Sequence, residues 1–298
     1  MARLVVLALG VALLACGEDA PRGSAGPHAV TVVDDAGQTV RLGAPAERMI
    51  SLVPSVTESV IALGAAGRLV ARTRYDTAPE VAGLPSVGGG LDPSLEALVA
   101  LDPDLVIAWD GAPAATLGAR LAASGIPLYR AAIEDTAAVF RTLDRLGELL
   151  GLPGPAADAT RGLRDSLTAI AAESVGMPRP SVFYLLAGRP PRTAGTRTFI
   201  GELIEVAGGR PAFPELEQLW PAVALEAVVA RNPDVILVPG GGEEAARLAR
   251  ARGWRDMPAV REGRVIEVPG DLFSRPGPGI ADAARTLREA LRTLPARP

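Results

Sequence analysis

Two stretches of the chain, Leu95–Trp109 (LEALVALDPDLVIAW) and Leu225–Pro239 (LEAVVARNPDVILVP), align with each other without a gap. Each passes from an apolar helical segment through a Pro-Asp turn into an apolar run typical of a buried parallel strand. The copies begin about 130 residues apart, far beyond the roughly 20- to 50-residue period of solenoid repeats. The shared Glu and Pro-Asp argue against a chance match, so the repeat predicts two similar domains.

The segments before the first copy predict how the first domain begins. Val30–Val33 and Thr39–Leu42 flank an Asp-Asp-Ala-Gly turn, which predicts a leading hairpin. From Met49 apolar strands alternate with helical stretches, as expected for βα units on parallel sheets. The first unit is a strand at residues 49–53 followed by a helix at residues 55–63, with Ser55 or Thr57 as its cap.

The region between the copies predicts a helical connection. Residues 136–150 are amphipathic and are expected to pack on the first domain, and residues 156–173 form a second helical stretch before Gly176. The second domain then runs from a strand at residues 181–186 to a helix at residues 280–294. We therefore predict an α/β fold of two Rossmann-like lobes with mainly parallel sheets, residues 29–152 and 178–298. A single connector helix within residues 153–177 joins them and resists large hinge closure.

Composition excludes several classes of function. The chain has 298 residues, a formal net charge of -4 and no lysine, since every basic side chain is Arg. It therefore lacks a basic field for nucleic acid, a P-loop lysine and a Schiff-base nucleophile. The one histidine, His28, leaves no His-based triad or metal site. We predict a protein that is not an enzyme and uses no metal or cofactor.

The N-terminus predicts export. Arg3 precedes an apolar run at residues 4–14, which suits the core of a signal peptide but is too short to span a bilayer. The run ends in Leu-Leu-Ala-Cys, which resembles the lipobox of bacterial lipoproteins. A small buried cysteine is the alternative interpretation of Cys16. We predict a signal peptide at residues 1–15, a lipid on Cys16 that anchors the protein at the periplasmic face or cell surface, and a flexible tether at residues 16–28.

Four segments carry a family resemblance: RMISLVPSVTE (48–58), PDLVIAW (103–109), Trp220-Pro221 and DLFSR (271–275). They resemble the helix-linked substrate-binding proteins of ABC importers, a family with cobalamin-, haem- and iron-siderophore-binding members, and especially its cobalamin-binding members. The resemblance covers nearly the whole chain after the tether. It implies the two-lobed, helix-linked fold and a small-molecule ligand held between the lobes.

The resemblance also implies the ligand and its contacts. A corrinoid such as cobalamin would be transported cargo, contacted by Pro54, Tyr75, Trp109, Trp220, Asp271, Phe273 and Arg275. Each aromatic could instead belong to a core, as we assign Trp254, and Asp271 could pair with Arg275 merely to hold its own loop. Leu272 and Arg192 replace aromatics of the cobalamin binders. Two alternatives stay open. One is haem with Tyr75 as its axial ligand, and the other is a ferric siderophore bound by Arg72, Arg74, Arg192 and Arg275.

The repeat also predicts a partner surface. Glu96 and Glu226 stand at equivalent positions near the start of equivalent helices. In the family such glutamates dock onto arginines of the permease dimer, which works with ATPase subunits. A solvated glutamate beside its helix dipole is the alternative for either residue alone. We expect a monomer that delivers its ligand to the permease; outside the family, a glycosidase using paired carboxylates or a structural lipoprotein is the alternative.

Overall fold

The computed structural model of the protein describes residues 29–240 and 242–294. His28 and Cys16, and with them the predicted signal peptide and tether, lie outside these residues. The chain enters the fold through an antiparallel hairpin of β1 (Val30–Val33) and β2 (Thr39–Leu42), which confirms the predicted strands and turn.

The N-terminal lobe is built on a four-stranded parallel sheet. Its strands are β3 (Met49–Ser51), β4 (Leu69–Ala71), β5 (Leu105–Trp109) and β6 (Leu128–Ala131), in the order β4-β3-β5-β6. The helices are α1 (Pro54–Ala62), α2 (Leu95–Ala100), α3 (Ala112–Ala122) and α4 (Thr136–Leu150). Short 3-10 helices span Ala66–Arg68 and Pro79–Val81. The first residues of β5 are all buried, as expected for a parallel strand covered on both faces.

The C-terminal lobe repeats this architecture. Its sheet has the order β10-β9-β7-β8, from β7 (Ser181–Tyr184), β8 (Arg210–Pro211), β9 (Val235–Gly240) and β10 (Val265–Pro269), again all parallel. The helices are α6 (Phe199–Val206), α7 (Leu225–Arg231), α8 (Glu244–Arg250), α9 (Pro258–Arg261), α10 (Gly270–Ser274) and α11 (Ile280–Arg292). Two sheets of the same order confirm the predicted α/β class.

The connector is α5 (Pro153–Ala172), a 20-residue helix. It packs against α4 on the N-terminal side and against α6 and α11 on the C-terminal side. Its apolar residues Leu163, Leu167 and Ile170 are buried in a core cluster that extends into both lobes. A change in lobe angle would have to expose or repack that core, which is why we expect limited closure. The exact domain limits stay a prediction.

The two repeat copies are confirmed as a helix followed by a buried strand, α2–β5 and α7–β9. They share a turn in which Asp102 and Asn232, at matching positions, have φ angles of 45° and 46°. Among residues other than glycine, Asp and Asn adopt this left-handed conformation most readily. The matching residue types therefore reflect the same backbone requirement in each lobe.

The repeated Pro-Asp ties each turn to a neighbouring strand. Asp104 accepts hydrogen bonds from the backbone N–H groups of Glu47 (2.8 Å) and Arg48 (3.0 Å), which lead into β3. Asp234 accepts from the backbone N–H and hydroxyl of Ser181, both at 2.8 Å, where β7 begins. Each aspartate thus aligns two strands at the amino edge of its sheet.

One local prediction was wrong. Neither Ser55 nor Thr57 caps α1, whose N-cap is Val53 and whose first residue is Pro54. Proline is favoured there because its missing N–H is one of the groups that would lack a partner at a helix start. The hydroxyl of Thr57 instead donates back to the carbonyl of Val53 at 3.5 Å.

Candidate ligand-binding site

A groove of about 290 Å³ lies between the lobes, at the carboxyl ends of the central strands. The N-terminal lobe contributes residues that follow β3 and β4 and the last residue of β5; the C-terminal lobe contributes residues that follow β10. The lining residues are Val53, Pro54, Ser55, Tyr75, Trp109, Asp271, Ser274, Arg275 and Pro276. Open α/β sheets commonly bind ligands at this edge. The groove therefore brings together five of the seven predicted contacts.

Trp109 forms one wall of the groove. It ends β5, whose preceding residues are fully buried, so the ring emerges where the strand leaves the core. The ring is half-buried and also lines an adjoining cavity with Gly90, Leu91 and Arg120. A large planar ligand stacked on this ring would have room to extend to either side.

Tyr75 also lines the groove. Its side chain belongs to the loop after β4 and is 55% exposed. The guanidinium of Arg74 lies 5.5 Å from the centre of the ring. Arg74 is held by Asp92, both of whose carboxylate oxygens accept from Nη2 at 2.6 Å, and this contact lowers the pKa of that carboxyl. The ring and its hydroxyl lie at the groove beside the Arg74 guanidinium.

Arg275 closes the groove across the two lobes. It follows α10 and donates to Glu58 of α1 at 2.8 Å, to the carbonyl of Tyr75 at 2.9 Å and to the hydroxyl of Thr77 at 3.4 Å. It also pairs with Asp271 at 3.2 Å, the contact expected within its own loop. The side chain is 14% exposed. Arg275 therefore both supports its loop and connects the lobes.

Arg72, Arg74 and Arg192, the other arginines considered as contacts of an anionic ligand, do not line the groove. Arg72 donates to the carbonyl of Thr73, Arg74 pairs with Asp92, and Arg192 donates to the carbonyl of Trp220 at 3.3 Å. Folding therefore leaves Arg275 as the arginine of the groove lining, with its charge already opposed by Glu58 and Asp271. Among the described residues, the groove lining therefore lacks the cluster of four arginines considered for an anionic siderophore.

Trp220 lies at the junction of the lobes, outside the groove lining. Its indole N–H donates to Glu134 of the N-terminal lobe at 3.4 Å, and its ring lies 6.5 Å from that of Tyr184. Tyr184 is fully buried, and burial raises the pKa of its phenol. Trp220 thus makes a contact between the lobes in this structure, and a contact with ligand stays a prediction.

Phe273 is placed differently from its prediction. The residue lies in α10 and is 1% exposed, packed into the core cluster that joins the lobes. Its ring cannot reach a ligand in the groove without leaving that core. Asp271 and Arg275 lie four positions apart and line the groove, whereas Phe273, between them, points into the core, which the linear motif did not reveal. Trp254 is buried in the C-terminal core as predicted.

Two contacts between the lobes were missed. Glu58 is the cross-lobe partner of Arg275, and Glu134 is that of Trp220. No local pattern signals either contact, because each partner is more than 80 residues away in sequence. Among the described residues there is no group of three or more His, Cys, Asp or Glu that could hold a metal ion.

The predicted docking residues occupy matching places on the two lobes. Glu96 and Glu226 are exposed in the first turns of α2 and α7, and the two helices show the same order of buried and exposed residues. One helical turn further on, Val99 and Val229 are also matched and are 37% and 46% exposed. Each lobe therefore presents one carboxylate beside one exposed valine.

Comparisons with known proteins agree with this architecture. The family model described as "Periplasmic binding protein" matches residues 49–272. The chain belongs to the periplasmic binding protein family. The match spans both lobes and the connector.

Individual relatives of this periplasmic binding protein narrow its class. A vitamin B12-binding protein of Photorhabdus laumondii is 31% identical, over 82% of this chain and 87% of the relative. An uncharacterized ABC transporter substrate-binding lipoprotein of Bacillus subtilis, YvrC, is 28% identical over 88% of this chain and 85% of its own length.

A solved structure agrees as well. The periplasmic heme-binding protein RhuT from Roseiflexus sp. RS-1, in apo form, superposes with a TM-score of 0.71 at 27% identity, covering 82% of this chain and 98% of that one. The protein is thus an extracytoplasmic substrate-binding protein of the ABC-importer type, and its family consists of transport proteins rather than enzymes. No helix within residues 29–240 and 242–294 is long and apolar enough to cross a bilayer.

Proposed function

We propose that this periplasmic binding protein captures cobalamin or a related corrinoid in the groove between its lobes and delivers it to a membrane permease. The observation that carries the proposal is the pairing of Trp109 and Tyr75, two partly exposed rings, on the walls of one groove. Asp271 and Arg275 add hydrogen-bonding groups suited to the amides and phosphate of a corrinoid, and Pro54 adds a rigid apolar contact. Relatives at about 30% identity are named as vitamin B12-binding proteins.

The size of the groove bears on how such a ligand would enter. At about 290 Å³ it lies just below the roughly 300–1,000 Å³ of ordinary small-molecule pockets, and a corrinoid is larger than most small molecules. The contacts of Arg275 with Glu58 and with the loop after β4 hold this groove narrow. We infer that a corrinoid separates these groups and lies partly outside the present groove.

Haem is the second candidate, because Tyr75 presents its hydroxyl at the groove and could serve as an axial iron ligand. A relative of solved structure is named as heme-binding. The two ligands make different demands on this residue. A corrinoid needs the ring of Tyr75, whereas haem iron needs its oxygen.

The test uses a soluble form that lacks residues 1–16 and keeps every described residue. It is titrated with cyanocobalamin, cobinamide, haem and a ferric siderophore, with protein fluorescence as the readout. We expect saturable corrinoid binding that weakens by about tenfold or more in Trp109→Ala, in line with the loss of one stacked ring and its buried area. Val33→Ala, which removes a 48% exposed side chain from the hairpin, is the matched control.

Tyr75→Phe separates the candidates. Corrinoid binding should persist in this variant, because the ring is kept, whereas haem binding through the phenolate should be lost. Saturable binding of haem alone, abolished by Tyr75→Phe, would replace the corrinoid proposal with the haem one. Absence of saturable binding for all four ligands would contradict both.

The delivery step is proposed from the matched glutamates. Glu96 and Glu226, one on each lobe, would each meet an arginine on one subunit of a permease dimer that works with ATPase subunits. We further propose that Cys16 carries the lipid that keeps the protein at the membrane surface, and that a single copy docks at a time.

A further inference from the structure

A second cavity lies at the opposite edge of the C-terminal sheet from the groove. It has a volume of about 400 Å³ and is open to solvent. Pro180 precedes β7, Val235 begins β9 and Arg264 precedes β10, so the cavity lies at the amino ends of these strands, whereas the groove lies at carboxyl ends. The end of α11 and the turn after α5 complete its walls. Neither the resemblance nor the proposed transport function uses this cavity.

Four arginines line the cavity: Arg179, Arg264, Arg288 and Arg292. Three of them are held in place by backbone carbonyls. Arg179 donates to Gly209 at 2.8 Å, Arg264 to Asp234 at 2.8 Å and Arg288 to Glu173 at 2.7 Å. A carbonyl fixes the position of a guanidinium without cancelling its charge.

Nearby carboxylates neutralise part of this charge. Glu262 pairs with Arg264, and Glu289 pairs with Arg292 at 2.7 Å. Asp234 also lines the cavity, and its carboxylate accepts from Ser181. Four arginines against these three carboxylates leave a net positive charge around the cavity. The hydrogen bonds described for Arg179 and Arg288 are with carbonyls, which do not offset their charge.

Two guanidinium N–H groups here have no acceptor among residues 29–240 and 242–294. They are Nη2 of Arg264 and Nε of Arg288, both shielded from solvent. The Arg264 side chain is 4% exposed. Leaving a buried donor unpaired costs about 1–3 kcal/mol, and more when the group is charged. Both donors belong to arginines that line the cavity, so a small rotation of either guanidinium would let an oxyanion bound there supply the missing acceptor.

The remaining walls are apolar. Val235, Leu291 and Leu294 line the interior, and Met177 lines the mouth, where it is 48% exposed. Val175, two residues earlier in the same turn, is 81% exposed. Large apolar side chains beside a cationic cavity match a ligand that has both an acidic group and an alkyl part.

We propose that this cavity binds an anionic amphiphile, with its acidic oxygens on Arg179, Arg264 and Arg288 and its alkyl part against Leu291, Leu294 and Met177. The same chemistry is offered by a free alkyl phosphate and by the headgroup of an anionic phospholipid. The site is separate from the transport groove, so this proposal does not depend on whether the groove binds a corrinoid.

Isothermal titration of the soluble form with octyl phosphate tests the proposal. We expect saturable binding of one equivalent, at least tenfold tighter than that of octyl glucoside, which lacks the charge, and of inorganic phosphate, which lacks the chain. Arg288→Gln and Arg179→Gln should each weaken binding at least fivefold. Arg285→Gln, an exposed arginine of the same helix outside the cavity lining, is the matched control and should bind as the parent does.

Thermal unfolding of each variant shows whether it folds. If Arg288→Gln does not fold, Arg179→Gln, which lies on a different segment, tests the site instead. Equal binding of octyl glucoside, equal losses in Arg285→Gln and Arg288→Gln, or no saturable binding of octyl phosphate would overturn the proposal.

Vesicles of phosphatidylglycerol and of phosphatidylcholine then distinguish the sources. Phosphatidylglycerol binding displaced by octyl phosphate identifies a headgroup, and octyl phosphate binding without vesicle binding identifies a free amphiphile. Vesicle binding that octyl phosphate does not displace would mean surface adsorption and would contradict the site.

Discussion

Arg275 of the C-terminal lobe and Glu58 of the N-terminal lobe form an ion pair of 2.8 Å across the groove. The pair joins α1 to the residue that follows α10, although the two lie 217 positions apart in sequence. Gly277 also lies against Ser55, where an added Cβ would come within 3.1 Å of its carbonyl oxygen. The start of α1 and the loop after α10 are thus one contact region between the lobes.

Removing Glu58 from this ion pair should raise the affinity for ligand, and removing Arg275 should lower it. In Glu58→Gln the lobes lose a contact that must break when a corrinoid enters, and Arg275 becomes free for the ligand. We expect affinity for cyanocobalamin to rise by roughly twofold to fivefold, the range of a partly exposed ion pair. In Arg275→Gln the ligand contact is lost as well, so affinity should fall. Fluorescence titration measures both, with Glu80→Gln as an exposed control, and a change in the same direction for both variants would contradict the account.

Trp220 is expected to stabilise the junction of the lobes. Trp220→Phe keeps an aromatic ring but removes the N–H that donates to Glu134. The free energy of unfolding should fall by about 1 kcal/mol, as for one ordinary hydrogen bond, with corrinoid affinity nearly unchanged. Urea unfolding and ligand titration measure the two effects. A loss of affinity as large as that of Trp109→Ala would instead show that Trp220 contacts the ligand.

Charge reversal at the matched glutamates should separate capture from delivery. The double variant Glu96→Arg and Glu226→Arg should lose nearly all uptake in cells, because like charges would oppose docking on both permease subunits. Ligand affinity of the purified protein should not change, since neither side chain lines the groove. Asp165→Arg, an exposed position on the connector helix, is the control for added charge. Transport at the parental rate would exclude these residues from docking.

Glu267 should make the C-terminal lobe sensitive to acid. Its carboxylate accepts from the backbone N–H groups of Gly242 and Ala245, both at 2.7 Å, where α8 begins. These bonds, chiefly that from Ala245, lower the pKa of Glu267 below its ordinary value of 4.5. The stabilisation is therefore fully present above pH 4.5 and is lost as pH falls through the lower, folded-state pKa.

The measurement is urea unfolding from pH 7 to pH 3. Glu267→Gln should be about 1 kcal/mol less stable than the parent at pH 7, and the difference should shrink in acid. Asp165→Asn, an exposed carboxylate on the connector helix, should show no such difference. A constant gap between Glu267→Gln and the parent at every pH would contradict the proposed role.

Local chemistry explains why much of the fold follows from the sequence. The repeat predicted two lobes because each copy carries its own helix, turn and buried strand, including the Asp or Asn that tolerates the turn. The hairpin and α4 were predicted with their observed bounds, because turn residues and an apolar period of 3.6 act over a few positions. The cap of α1 was missed because proline at the first position can replace a side-chain cap.

By itself the sequence determined the α/β class, the two lobes joined by a helix, and the residue types available for binding, because periodicity and composition act locally along the chain. The tertiary structure decided which of those residues meet. It placed Trp109, Tyr75 and Arg275 in one groove, turned Phe273 into the core, and set Arg275 against Glu58. The physical reason is that side-chain direction and long-range partners depend on how complete helices and sheets pack, which no short motif contains.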